Sequence, residues 1–182
     1  MNGSVAYYNG EWIPSTDLAV AVDDLGFLLG ATLTERLRTF KGRPYLTEPH
    51  LDRLYHSLVS LKWNADAICS EARAAIDEFM TRNERCLVEG DDWNIILFVT
   101  PGKADDPASP TLCVHGHPIA FHSWAHQFVD GVDAVVVGVR QIPPNCWPPE
   151  LKCRSRMHYY LADREASAAI PGSRAILLDQ DG

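Results

Sequence analysis

Lysine is the scarce reactive residue in this chain. Of the 16 basic residues only four are lysines: Lys41, Lys62, Lys103 and Lys152. Lys41 falls in a hairpin turn, Lys62 at a helix end and Lys103 on a polar loop. Lys152 stands apart. It follows the Pro-rich loop Pro143-Pro144-Asn145-Cys146-Trp147-Pro148-Pro149 and precedes a helix expected from about Arg156 to Ala169. Arg154 and Arg156 lie just after it, and neighbouring cations favour the neutral amine. A lysine that is neutral part of the time can attack a carbonyl and form an imine. The alternative is a solvated lysine at a helix start, the usual fate of this residue type.

A second candidate lies on the strand after Gly30. Residues two apart share a strand face, so Thr32, Thr34, Arg36 and Arg38 point one way and Leu33 and Leu37 the other. A doubly cationic face suits a cavity that receives a substrate carboxylate. It also suits a half-exposed sheet with solvated arginines. His115 and His117 share another strand face, with His122 and His126 downstream. No carboxylate or cysteine stands beside them at ligand spacing, so no metal site is expected. Gly-rich phosphate loops are absent. Trp147 among the prolines reads as a lid or, more simply, as a packing anchor.

These residues need elements to position them. Val5 to Tyr8, Asn9-Gly10 and Glu11 to Ile13 form a hairpin, because Asn-Gly supplies the positive φ of a type I′ turn. Asp23 to Gly30 is a Gly-bounded connection. Thr32 to Phe40, a turn at Lys41-Gly42 and a return through Pro44 to Leu46 make a second hairpin. A helix starts at Thr47-Glu48-Pro49, with Thr47 as N-cap, and buries Leu51, Leu54, Leu58 and Leu61. Another helix buries Ile68, Ala72, Ala75, Ile76 and Phe79. Asn94 to Thr100 and Thr111 to Val114 read as buried strands around the loop Pro101 to Pro107. Val132 to Val139 is a β-branched run expected to be a buried strand, and Arg174 to Leu178 is the last strand.

The composition bounds the class. The chain has 182 residues, 46% of them hydrophobic and 22% charged, which excludes a disordered or fibrous chain. The net charge is -8, against sequence-independent nucleic-acid binding, which needs a cationic surface. No apolar run is long enough to span a bilayer, and Met1-Asn2-Gly3-Ser4 does not open a signal peptide. Five scattered cysteines fit neither a disulfide framework nor a zinc finger. Free thiols in a reducing cytoplasm are the simplest reading.

Three segments, in order, resemble the class IV (fold-type IV) pyridoxal-phosphate enzymes, the family of branched-chain and D-amino-acid aminotransferases and aminodeoxychorismate lyase. Asp24-Leu25-Gly26-Phe27-Leu28-Leu29-Gly30 through Glu35-Arg36-Leu37-Arg38, then Lys41-Gly42-Arg43-Pro44, is similar to the family's opening motif. His50-Leu51-Asp52-Arg53-Leu54 is similar to its HLxRL helix. Lys152, Tyr160-Leu161-Ala162, Glu165-Ala166, Ala175-Ile176-Leu177-Leu178-Asp179 and Asp181-Gly182 are similar to its lysine motif. The resemblance implies that Lys152 holds the cofactor pyridoxal 5'-phosphate as an internal aldimine, a Schiff base. The same lysine would then move the proton between the substrate α-carbon and the cofactor. It implies that Arg53 binds the cofactor phosphate, a match for a guanidinium fork; the other reading of Arg53 is an exposed helix arginine. It implies that the face of Thr34, Arg36 and Arg38 looks into the active site and binds substrate.

The chain departs from the family pattern at Ala31 and Thr32, at Thr34, at Pro101-Gly102 and at Ser155-Arg156. Pro101-Gly102 stands where D-amino-acid enzymes often carry a carboxylate-trapping arginine, which counts against that specificity. The chain stops at a turn, Gln180-Asp181-Gly182, before the family's glutamate that protonates the pyridine nitrogen. It therefore reads as part of a longer chain, the C-terminal part being missing.

The expected fold is α+β in two domains: an N-terminal α/β sandwich at 1–120, a linker at 121–131, and at 132–182 the beginning of a β-rich, cofactor-binding C-terminal domain. The expected activity is transamination between an amino acid, in one version branched-chain, and a 2-keto acid. The alternatives are an aminodeoxychorismate lyase-type enzyme and a truncated non-catalytic relative. The resemblance also implies a homodimer; the cysteines point to the cytoplasm, the acidic charge to no nucleic-acid partner and the hydropathy to no membrane partner.

Overall fold

A computed structural model describes residues 3–106 and 109–182. Met1 and Asn2 of the N-terminal motif, and Pro107 at the end of the expected loop, lie outside the described residues. The chain divides into two compact units. The first is Met1–Ile119 together with Lys152–Arg154; the second is Ala120–Leu151 with Ser155–Gly182.

The first unit begins with the Asn-Gly hairpin, β1 (Val5–Tyr8) and β2 (Glu11–Pro14), its turn at φ 49° for Asn9 and 89° for Gly10. A short helix, α1 (Leu25–Leu28), occupies the Gly-bounded connection, where no helix is expected from periodicity. Asp24 starts it by accepting from the Gly26 N–H at 2.7 Å, a side-chain cap. The other Asp24 oxygen accepts from the Thr100 and Thr111 hydroxyls at 2.9 and 2.8 Å. A carboxylate only 1% exposed is thus satisfied by three hydrogen bonds.

The second hairpin follows as β3 (Leu33–Phe40) and β4 (Arg43–Pro44). Next come α2 (Thr47–Ser60), α3 (Ala65–Arg82), β5 (Trp93–Thr100) and β6 (Thr111–Pro118). The six strands order as β2-β1-β6-β5-β3-β4, and every pairing is antiparallel. Helix α2 lies over β3, and α3 over β1 and β6. Leu51, Leu54 and Leu58 of α2, Ile68, Ile76 and Phe79 of α3, and Leu33, Leu37, Ile95, Leu97 and Val114 of the sheet are all buried. Each such side chain contributes about 1.5–3 kcal/mol. Leu61 is the exception to the stripe: it caps α2 and is exposed.

Thr47 is not the N-cap of α2. That position belongs to Leu46, held in the left-handed region at φ 56° by the exit from the hairpin, with no side-chain cap bond. Gly26 has a packing reason. A Cβ there would sit 2.3 Å from Thr100 Cγ2 and 2.7 Å from Thr32 Oγ1. Gly26→Ala is expected to destabilise the unit by about 1–3 kcal/mol, read as a lower urea midpoint at an unchanged slope.

The second unit contains a two-stranded parallel pair, β7 (Ala134–Val136) and β8 (Arg174–Ile176), and the helix α5 (Met157–Ala169). Its small core is Val137, Ala162 and Ala166, with Val135, Val139, Ala175 and Leu177 packed around it. The run at 132–139 is therefore a shorter and more exposed strand than its β-branched composition suggests. Only alternate residues are covered, because one helix shields one face. The stretch 121–131 is not a plain linker. It forms a 3-10 turn at Phe121–Ser123 and a short helix, α4 (Gln127–Asp130), where Phe121, Trp124 and Phe128 rings stand 4.8–6.0 Å apart.

Candidate functional site

Residues Lys152–Arg154 fall with the first unit rather than with 132–182, and backbone pairing is the reason. The Thr34 N–H donates to the Lys152 carbonyl at 2.9 Å, and the Arg154 N–H to the Thr32 carbonyl at 2.9 Å. Cys153 bridges Leu33 in antiparallel sense. The lysine segment is thus an added edge strand on the start of β3. Lys152 is half-buried there.

Glu35 lies on the helix-facing side of β3, between Leu33 and Leu37, and is 2% exposed. Arg53 of α2 grips it with two bonds, Nε to Oε1 at 2.7 Å and Nη2 to Oε2 at 2.5 Å. His50, one turn earlier on α2, hydrogen-bonds the carboxylate, its Nδ1 2.7 Å from Oε2. Burial alone would raise the Glu35 pKa. The hydrogen bonds of Arg53 and His50 and the charges of Arg53 and Lys152 outweigh it and hold Glu35 below its ordinary value. The same bond to Glu35 pushes the Arg53 pKa up against a smaller desolvation effect. Arg53 and His50 thus hold one carboxylate by hydrogen bonds, and the Lys152 charge acts on it as well. Arg53 remains 46% exposed, and neither bond to Glu35 uses its Nη1.

The opposite face of β3 carries the other expected residues, but they part company. Thr34 is buried, and its hydroxyl donates to the Leu97 carbonyl at 2.9 Å. Arg36 is exposed in register with Ile96 and His115. Arg38 is held at the far hairpin: Nη2 pairs with Asp92 at 3.4 Å, Nε donates to the Thr39 carbonyl at 3.0 Å, and the guanidinium lies 3.7 Å from the Phe40 centroid. Asp92 also accepts from Thr39 Oγ1 and the Gly42 N–H, which closes that turn. Burial, then the Arg154, His117 and Arg36 charges, push the His115 pKa down to about 4.

His115 therefore stays neutral well into acid. Its share of stability is present above about 6.5 and is lost as pH falls toward about 4, because the unfolded chain takes up the proton first. An NMR titration of the ring is expected to give a midpoint near 4; a midpoint at the ordinary histidine value would sink this assignment. Among the described residues no group of three or more His, Cys, Asp or Glu side chains is arranged to hold a metal. Among the described residues no helix is long and apolar enough to cross a membrane.

Glu35 and His50 are the functional candidates that motif reading missed. The signal was available: a carboxylate at an apolar-face position of a strand must find a cation or be neutral. Only the packing of α2 on β3 says which cation.

An antiparallel sheet backed by two helices, with a lysine strand docked beside an arginine-held carboxylate, defines a particular architecture. Its fold matches that of a hypothetical aminotransferase from Mycobacterium tuberculosis in a PLP-bound form, with a TM-score of 0.78 at 21% identity over 98% of this chain and 63% of that one. A model of the family described as amino-transferase class IV matches residues 32–182. The chain belongs to the class IV aminotransferase family. It is 31% identical over 180 residues to a putative branched-chain-amino-acid aminotransferase of Methanocaldococcus jannaschii, covering 97% of this chain and 60% of the relative. It is 24% identical over 185 residues to the aminodeoxychorismate lyase of Bacillus subtilis, covering 97% and 59%. The chain thus spans about 60% of the length of these relatives.

Proposed function

We propose that this chain carries the lysine and phosphate-binding part of a pyridoxal-phosphate-dependent aminotransferase that moves an amino group between an amino acid and a 2-keto acid. The observation that carries the reading is the cationic cluster around Glu35. Its donors fit a phosphorylated aldehyde. Arg53 keeps an exposed edge for the phosphate, its orientation fixed from behind by a buried carboxylate. The Lys152 amine belongs to the neighbouring strand and is partly shielded from water.

When bound, the cofactor supplies an electron sink for deprotonation at the substrate α-carbon. Lys152 is the residue that removes and returns that proton. Glu35 and His50 act on Arg53, as positioning residues. Thr34 acts through its backbone, which holds the Lys152 strand in place, and Arg36 offers a cation to a substrate carboxylate. Arg38 is the weakest member of the expected set, since its guanidinium serves the Asp92 turn. We propose further that the enzyme works as a homodimer in the cytoplasm.

The likeness to the Bacillus subtilis lyase favours a second reading in the same family, a lyase that needs no keto-acid acceptor. The test of the first reading is borohydride reduction of the protein mixed with pyridoxal phosphate, followed by peptide mapping. A stable pyridoxyl adduct on Lys152 is expected. Amino-group transfer that requires a 2-keto acid then separates transaminase from lyase. An unmodified Lys152 would overturn both.

A further inference from the structure

Lys152 and Arg53 are anchored on consecutive residues of β3. The Lys152 carbonyl accepts from the Thr34 N–H at 2.9 Å. One residue on, Glu35 takes Arg53 Nε and Nη2 at 2.7 and 2.5 Å. A strand rises about 3.3 Å per residue, so the two anchors are near neighbours. Both lie in the first unit, to which Lys152–Arg154 belongs as a segment of three residues. The chain enters that segment from Leu151 and leaves it at Ser155, both of the second unit. Its backbone pairs with β3 through the Thr34–Lys152 and Arg154–Thr32 bonds and the bridge of Cys153 to Leu33. Detaching the segment from β3 therefore frees the Thr34 and Arg154 amides together. Arg53 stays behind when the segment detaches, because its grip is on Glu35 of β3 itself.

We propose that pyridoxal phosphate clasps the lysine strand: with its phosphate on Arg53 and its aldehyde on Lys152, it holds residues 152–154 docked on β3, so that cofactor loading and strand docking are one coupled equilibrium. At the lysine end the amine nitrogen bonds the aldehyde carbon and water leaves. The proposal rests on the pyridoxal-phosphate reading of Lys152 and Arg53. A ligand with equal affinity for two states shifts neither. Inorganic phosphate reaches Arg53, and an aldehyde without phosphate reaches Lys152, whether the segment is docked or detached. Only the linked molecule tells the states apart, because detachment draws its two anchors away from each other and abolishes the effective concentration of the second end.

Amide hydrogen exchange of Thr34 and Arg154 reads the docking directly, with no need of turnover. A ligand that binds only the docked state slows exchange through opening by 1 + [L]/Kd whatever the strength of the docking, about 100-fold at 100 times Kd. Pyridoxal phosphate at that excess is expected to slow both amides on that scale. Saturating pyridoxal and inorganic phosphate, added separately or together, are expected to change either rate by less than about 3-fold, since neither discriminates between the states. The Ser15 amide, which donates to the Ser4 carbonyl at 2.9 Å on the far edge strand, is expected to keep its rate throughout. Arg53→Gln is expected to retain a reducible Lys152 adduct at saturating pyridoxal phosphate and to lose the slowing. The unmodified protein with the two fragments reads the same coupling without any variant. Slowing by the unlinked fragments as large as by the linked molecule, slowing that survives Arg53→Gln, or equal slowing at Ser15 overturns the proposal. An adduct on Lys152 with unchanged Thr34 and Arg154 exchange removes the clasp alone. Absence of the adduct removes the cofactor reading and the clasp with it.

Discussion

Lys152→Ala is expected to abolish the pyridoxyl adduct and to lower amino-group transfer by at least the 10²–10⁴-fold typical of a positioned general base. The loss follows from the lysine's place at the sheet edge, half-buried beside the Glu35 cluster. Its backbone holds β3 by accepting from the Thr34 N–H, and alanine keeps the carbonyl that makes this bond. The variant is therefore expected to unfold at the same urea concentration as the parent. This combination, no adduct with an unchanged fold, is what identifies the amine as the reacting group. Transfer activity that persists in Lys152→Ala would rule that role out. Lys152→Arg keeps the charge and is expected to be as inactive, since a guanidinium does not lose its proton.

Arg53→Ala is expected to produce the second-largest effect, in two measurements at once. Affinity for pyridoxal phosphate should fall on the order of 10- to 100-fold, the worth of one charge-assisted pair. Stability should fall as well, because Glu35 is 2% exposed and would keep only His50 as a direct partner. Removing one member of a fully buried pair costs about 3–5 kcal/mol. Arg53 is half-exposed, so roughly 2 kcal/mol is the expectation here.

The pH dependence has a definite sign. In the parent, Glu35 is held below its ordinary pKa of 4.5. Its contribution is complete above that value and is lost as pH falls through the lower folded pKa. Without Arg53, burial dominates and raises the carboxyl pKa, so the sign reverses: the variant loses stability as pH rises through the raised pKa and recovers toward the parent as pH falls. Urea midpoints between about pH 3 and pH 7 test this. Identical acid profiles for parent and variant would show that Glu35 does not depend on Arg53. Arg53→Lys is expected to recover part of the stability but little cofactor affinity, since an ammonium cannot reproduce the two-point grip.

Much of the fold was legible locally. Asn9-Gly10 and Lys41-Gly42 announce their hairpins, because few other residue pairs accept two successive positive φ angles. The leucine stripe of α2 and the alanine-isoleucine stripe of α3 follow from helical period, and most of their members are buried as expected. Errors fell where local pattern competes with the surroundings. Leu46 displaced Thr47 as N-cap because the hairpin exit fixed its backbone. The run at 132–139 promised a buried strand, yet a two-stranded sheet has too little cover to bury both faces. The aromatics at 121–128 looked like linker residues until their rings were found packed together.

By itself the sequence determined which residues could do chemistry. Lys152 stands out among four lysines by its context, and three ordered segments, one holding Arg53 and one Lys152, carry the family resemblance; Glu35 and His50 stand in those segments with no role read for them. Those features are local in the chain. Tertiary structure alone decided their partners. It placed Glu35 on the buried face, turned Arg53 and His50 onto it, docked the Lys152 strand on β3 and tied Arg38 to Asp92 instead. A carboxylate's burial, and the cation that compensates it, depend on residues 15 to more than 100 positions away. Periodicity and turn chemistry report only on near neighbours, so that information appears when helix and strand pack.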